Sequence, residues 1–310
     1  MSLKIGSDAK TAAAADGFIS VAFTAPDGLR LHARDYSGPA KAARLPIVCL
    51  PGLTRNARDF HPFAQLFSGG STAPAIEPRR VICLDYRGRG GSDRDRNADN
   101  YSLTVETDDV LAALAALDVP RAIFFGTSRG ALIIHLLAAT RPTMIAAAIL
   151  NDAGPVIEGA GLAQIRGYLT RLPQPKDWAQ AVEILKQAHG KAFPALEARD
   201  WQDMAEAIYV ERKGKIVSDF DQAIVKQLSA IDFNTQLPTL WPQFDALAHV
   251  PVMAIRGENS QLLSQATVAE MAKRHPGMEA LVVAGQGHAP LPHSAGIPTT
   301  IAKFIERAAL

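Results

Sequence analysis

Cysteine is nearly absent. The chain has 310 residues and two cysteines, Cys49 and Cys83, each inside an apolar run. Both read as small buried hydrophobes, so neither a disulfide framework nor a metal site is expected. Charge of one sign is not in excess either: 32 Lys and Arg stand against 31 Asp and Glu, scattered along the chain. That excludes the basic face a nucleic-acid or membrane-surface binder needs. No apolar run is long enough to span a bilayer. The stretch from Met1 to Gly17 holds Ala12-Ala13-Ala14-Ala15 but no true apolar h-region. No signal peptide is therefore expected, and the cytoplasm is the default location. Internal repeats and low-complexity segments are also missing. What is present is 48% hydrophobic and 20% charged residues, enough for a large core. The length suits one large α/β domain with an inserted element, or two ordinary domains.

Phe18 to Phe23 alternates loosely, reaches the turn Ala25-Pro26-Asp27-Gly28 and resumes at Leu29 to Ala33, which reads as a hairpin. Four continuous apolar runs follow, at Pro46 to Leu50, Arg80 to Leu84, Ala122 to Phe125 and Met144 to Leu150. Runs without alternation are the mark of parallel strands covered on both faces. Helical patterns separate them, as in Val105 to Leu117. The expected class is a doubly wound α/β sheet. From Val156 to Ala248 the rhythm changes: short apolar strands give way to helical patterns at Leu162 to Leu172, Asp177 to His189, Trp201 to Tyr209 and Asp219 to Leu228. Strand rhythm returns at Val250 to Ile255 and Ala280 to Val283, with a closing helix from Ile297 to Ala308. The expected division is a core of residues 1–155 and 249–310 interrupted by a helical cap, 156–248.

Gly126-Thr127-Ser128-Arg129-Gly130 joins a buried strand to a helix. A serine between two glycines at such a turn is the geometry of a nucleophile elbow, with helix N–H groups placed where negative charge develops. A serine nucleophile needs a base. His288 in Gly285-Gln286-Gly287-His288-Ala289-Pro290 follows the last strand, where sites of such sheets form. The other histidines lack that context, and His135 reads as a packed helix residue. Leu50-Pro51-Gly52-Leu53 follows the third strand, and the Leu53 N–H can pair with the Arg129 N–H as an oxyanion hole. The loop Asp85 to Asp93 has neither the glycine spacing nor the lysine of a phosphate cradle and reads as a structural turn.

Pro51-Gly52-Leu53, Asp85-x-Arg87-Gly88-x-Gly90-x-Ser92, Gly126-x-Ser128-x-Gly130 and Gly287-His288 occur in the order of one family. From Phe18 to Ala308 the chain resembles the α/β-hydrolase fold superfamily, in its single-domain branch with a helical cap. The resemblance implies an eight-stranded, mostly parallel sheet with the cap inserted after strand six. It also implies a serine nucleophile, a histidine base and an oxyanion hole from the Leu53 and Arg129 amides. Pro51-Gly52 stands where the family usually has His-Gly; the backbone donors do not depend on that histidine.

The triad acid is the departure. Similar proteins commonly carry Asp at the position held by Gln261, in the loop Gly257-Glu258-Asn259-Ser260-Gln261. Three readings stay open: Glu258 supplies the carboxylate from the same loop, Asp152 supplies it from just after strand six, or Gln261 orients His288 without a carboxylate. The expected chemistry is acyl transfer to water on a small, fairly apolar ester or lactone, with no cofactor and no metal. Cap residues Leu162, Ile165, Tyr168, Leu169, Trp178, Trp201, Met204, Trp241 and Phe244 are candidate pocket walls. The alternatives are a C–C hydrolase acting on a vinylogous diketone, or a non-catalytic ligand-binding or interaction protein. The expected partner is a small-molecule substrate, without nucleic acid or membrane, and the expected assembly a monomer or homodimer.

Overall fold

The computed structural model describes residues 17–37, 44–69, 76–171, 173–229, 232, 237–308 and 310. The alanine run at 12–15 lies outside them, as does residue 172. The chain opens with a hairpin of β1 (Ile19–Thr24) and β2 (Arg30–Tyr36). β3 (Ile47–Leu50), β4 (Val81–Asp85), β5 (Ala122–Thr127) and β6 (Ile145–Asn151) follow, every residue of them buried. That burial on both faces is the reason their sequences show no alternation. Helices α1 (His61–Ser68), α2 (Leu103–Ala116) and α3 (Arg129–Thr140) cross between them. The Ser102 side chain caps α2 by accepting from the Val105 N–H, so the helix begins where its first orphan donors are satisfied.

After β6 come α4 (Gly159–Leu169), α5 (Trp178–His189) and α6 (Ala198–Ile208), then an antiparallel hairpin of β7 (Tyr209–Arg212) and β8 (Lys215–Ser218), then α7 (Ala223–Ser229) and α8 (Trp241–Asp245). The hairpin corrects the sequence reading, which expects only helices here. Four-residue strands around Lys213-Gly214 are too short for apolar periodicity to show, although both turn residues have positive φ. The chain returns through β9 (Val252–Gly257), α9 (Gln265–Arg274), β10 (Glu279–Val283) and α10 (Ile297–Arg307).

Among the described residues the main sheet has eight strands in the order β1-β2-β4-β3-β5-β6-β9-β10. β1, β2 and β4 pair antiparallel in turn, and every other neighbour is parallel. The order reverses between β4, β3 and β5, the switch point where α/β sheets place ligands beyond the strands' carboxyl ends. One apolar layer packs α2 and α3 against the sheet, and a second packs α1 and α10 against the other face. Cys49 and Cys83 lie opposite each other in β3 and β4, both buried and both free thiols. No helix among the described residues is long and apolar enough to cross a membrane.

Candidate active site

The turn after β5 is tight because two glycines make it so. A Cβ on Gly126 would meet the Ala131 nitrogen at 2.5 Å, and one on Gly130 would stand 2.7 Å from the Leu50 carbonyl carbon. Ser128 between them has φ 53° and ψ −112°, a conformation costly for any residue with a side chain. Ser128 is also the N-cap residue of α3, yet its hydroxyl makes no capping bond. The twist directs the hydroxyl away from the helix and toward the base.

Ser128 Oγ lies 2.9 Å from His288 Nε2, and His288 Nδ1 lies 2.7 Å from Asp152 Oδ2. An ionised carboxylate only accepts, so Nδ1 carries the proton and Nε2 is left to accept from the serine hydroxyl. Asp152 has no exposed surface and is held by two further donors. The Gly257 N–H reaches Oδ1 at 2.8 Å, and the Ser260 hydroxyl reaches Oδ2 at 2.6 Å. Register sets this up: Asn151 pairs with Ile255, which brings the residue after β6 level with the end of β9.

The other two readings of the acid position are corrected here. Glu258 is exposed and its carboxylate accepts from the Gly285 N–H at 2.8 Å, which braces the base of the His288 loop instead of the imidazole. Gln261 has an exposed side chain. Ser260 Oγ, which sequence reasoning does not single out, also accepts from the Leu262 and Leu263 amides, so it is fixed before it donates to Asp152. Asn151 carries no local signal either. Its buried side-chain amide donates to Thr127 Oγ1 (3.1 Å) and to the Pro290 carbonyl (3.0 Å), tying the elbow to the His288 loop.

Leu53 and Arg129 flank the serine. The Gly52 carbonyl accepts from the Arg55 N–H at 3.1 Å. A trans peptide points its N–H opposite to its C=O, so the Leu53 N–H faces away from that turn. Both Gly52 and Leu53 line a cavity of about 460 Å³ that also exposes Ser128 and His288. Of the candidate walls, Ile165, Tyr168, Leu169 and Met204 line it. Trp178 and Trp201 pack among α5, α6 and their neighbours, Leu162 packs with the α7 cluster, and Trp241 and Phe244 pack on the core. His189 lines the cavity although no strand-end context marks it in the sequence. Burial, with Arg55 and His288 adding to it, pushes its imidazole down to about 4, so it is neutral at pH 7. The guanidiniums of Arg55 and Arg58 at the wall are each paired, with Asp59 and Asp219.

A second series of the same three residue types runs Ser20 Oγ–His32 Nε2 (2.7 Å) and His32 Nδ1–Asp85 Oδ2 (2.7 Å). Ser20 is an exposed residue within a regular strand, paired with Arg34, and it lines no part of the cavity. Asp85 there also accepts from the Ala57 and Gly91 amides, which pins the loop after β4. These bonds hold the loop in place, and the Ser20 set lacks both the helix head and the cavity that the Ser128 set has. Among the described residues no cluster of His, Cys, Asp and Glu has the arrangement to hold a metal ion.

A family model described as alpha/beta hydrolase fold matches residues 46–293. The chain is 31% identical over 274 residues to the 3-hydroxybutyrate-oligomer hydrolase of Cupriavidus necator, covering 86% of this chain and 89% of that one. It is 26% identical over 237 residues to the 2-(acetamidomethylene)succinate hydrolase of Mesorhizobium japonicum, covering 76% and 79%. A crystal structure of an alpha/beta hydrolase from Novosphingobium aromaticivorans superimposes with a TM-score of 0.85 at 38% identity, covering 94% of this chain and 99% of that one.

Proposed function

The chain belongs to the α/β-hydrolase family and is a hydrolase, and from that premise we propose that it cleaves small, fairly apolar esters through an acyl-enzyme on Ser128. One observation carries the reading: the unbroken line from Asp152 through His288 to Ser128, at 2.7 and 2.9 Å, ending in a cavity. His288 takes the hydroxyl proton as Ser128 attacks the carbonyl carbon. Asp152 stabilises the imidazolium that forms and holds it in the productive tautomer. The Leu53 and Arg129 amides hold the oxyanion, and the head of α3 adds its dipole. His288 then protonates the leaving alcohol, and water repeats the sequence to release the acid.

In this reading residues 156–248 act as a cap over a core of the remaining chain. The apolar wall of Ile165, Leu169 and Met204 favours a short aliphatic acyl group. Arg55 and Arg58 are paired and His189 is neutral, while Arg34, Arg199, Asp203 and Glu206 also line the cavity, so its polar part offers charged as well as neutral partners. An oligomer of a hydroxy acid, joined by ester bonds, fits such a pocket, and the Cupriavidus relative's name supports that class.

The test is hydrolysis of an activated short-chain ester. Ser128→Ala is expected to abolish turnover while the protein stays folded. A folded variant with full turnover refutes the assignment of the nucleophile.

A further inference from the structure

Arg89 sits in the loop after β4, buried, and its guanidinium is divided among three acceptors. Nε donates to the Leu53 carbonyl at 2.8 Å. Nη1 donates to the Arg87 carbonyl at 2.7 Å and to Glu106 Oε1 at 2.6 Å. The other oxygen of Glu106 accepts from Arg129 Nε, and Arg129 Nη2 donates to the Tyr101 carbonyl at 2.8 Å. Leu53 and Arg129 are the two residues whose amides form the proposed oxyanion hole. They stand on different elements, one in the turn after β3 and one at the head of α3. A single carboxylate with 0% exposure is therefore linked to both.

We propose that Glu106 and Arg89 are positioning residues, which couple the Leu53 turn to the head of α3 and fix the spacing of the two oxyanion donors. This rests on Ser128 being the nucleophile. Stability alone is a poor reason for the arrangement, because apolar residues of similar volume commonly replace buried ion sets without loss. The loop after β4 also has separate anchors. The Arg87 side chain pairs with Asp109 and Asp95, and Asp85 accepts two backbone amides; none of these side chains bonds to Leu53 or Arg129 directly. What Glu106 adds is a rigid path between two amides that must both sit near 3 Å from one oxygen, a task that tolerates errors of only about 0.5 Å.

The experiment compares Glu106→Gln, Arg89→Lys and Asp109→Asn with the wild type. Glutamine keeps the size of Glu106 and removes the charge that both guanidiniums share. Lysine keeps the charge of Arg89 but lacks the planar fork that reaches Leu53 and Glu106 together. Asp109→Asn breaks the neighbouring buried pair and serves as the structural control. Loss of a whole oxyanion donor costs about 10²- to 10³-fold, so a displaced one is expected to lower kcat about 10- to 100-fold. KM is expected to change by less than about twofold, the signature of an interaction made in the transition state. Labelling of Ser128 by a fluorophosphonate is expected to slow in step with kcat. Asp109→Asn is expected to lower the unfolding midpoint and leave kcat unchanged.

A folded Glu106→Gln protein with wild-type kcat overturns the inference. A fall in kcat at Asp109→Asn equal to that at Glu106→Gln overturns it too, because general loosening then explains both. Should Glu106→Gln not fold, Arg89→Lys decides by the same criteria. A wild-type protein that a fluorophosphonate does not label at Ser128 overturns the nucleophile reading itself, which separates that failure from this one.

Discussion

Replacing Asp152 by Asn exchanges one carboxylate oxygen for an NH2 group, and the neighbours of that side chain set the cost. Three donors converge on it: the Gly257 N–H on Oδ1, and the Ser260 hydroxyl and His288 Nδ1 on Oδ2. An asparagine offers one acceptor oxygen and one donor group in their place. If the oxygen faces His288, the new NH2 meets the Gly257 N–H, a backbone donor that cannot turn away. That arrangement buries an unpaired donor at about 1–3 kcal/mol. If the oxygen stays with Gly257, the NH2 faces His288 and the Ser260 hydroxyl has to turn aside, which weakens one of its bonds from the Leu262 and Leu263 amides. The second arrangement is the cheaper one. It forces Nδ1 to accept, puts the imidazole proton on Nε2 and leaves Ser128 without a base. The same substitution in a serine-protease triad lowers kcat by about 10⁴, or about 5 kcal/mol of transition-state stabilisation. We expect a loss of that order for Asp152→Asn in steady-state hydrolysis of a p-nitrophenyl ester. Glu258→Gln, measured beside it, is expected to keep kcat near the wild-type value. An Asp152→Asn enzyme within tenfold of wild type, or a Glu258→Gln enzyme that loses more, would show that the hydrogen-bonded line is not the catalytic one.

Two expectations concern stability. Gly130→Ala forces a methyl group against the Leu50 carbonyl, between two buried backbones that cannot yield; urea unfolding is expected to show a loss of about 3 kcal/mol or more, and a loss below about 1 would refute the packing argument. His135 is fully buried, with Nδ1 2.7 Å from the Ala131 carbonyl and Nε2 without a partner, and burial pushes its pKa down to about 4. Its folded pKa lies below the unfolded value of about 6.5, so the unfolded chain binds the proton first. The neutral imidazole's contribution is whole above pH 6.5 and is lost as the pH falls toward 4, by about 3 kcal/mol. His135→Leu is expected to remove that part of the acid sensitivity, read as a smaller difference in unfolding free energy between pH 7 and pH 4; an unchanged difference refutes it.

The buried strands are legible in the sequence because β3 is apolar throughout and β5 and β6 are apolar up to their last residues, short runs of the kind a sheet covered on both faces makes. Ser128 and His288 are legible because the first lies between two glycines just past a buried strand and the second follows Gly287 in the loop after the last strand. The acid is not, since choosing between Asp152 and Glu258 requires the register of β6 on β9, which no local pattern encodes. The β7–β8 hairpin leaves no trace because four residues hold too few alternations to register. Glu106 looks in sequence like an ordinary first-turn helix acid, and only its two arginine partners, one in the loop after β4 and one at the head of α3, point to the role proposed for it.

The position of the acid also bears on how this chain can vary over time. Asp152 reaches His288 with help from the backbone at 257 and the hydroxyl at 260, whereas the side chain at 261 lies in solvent. On the proposed assignment of Asp152 as the acid, substitution is expected to cost activity at 152 and 260 and to be tolerated at 261. A pattern that judges activity by the residue after the seventh strand of the sheet would score this chain as a dead relative. With Asp152 as the proposed acid, glutamine at 261 is no sign of lost activity.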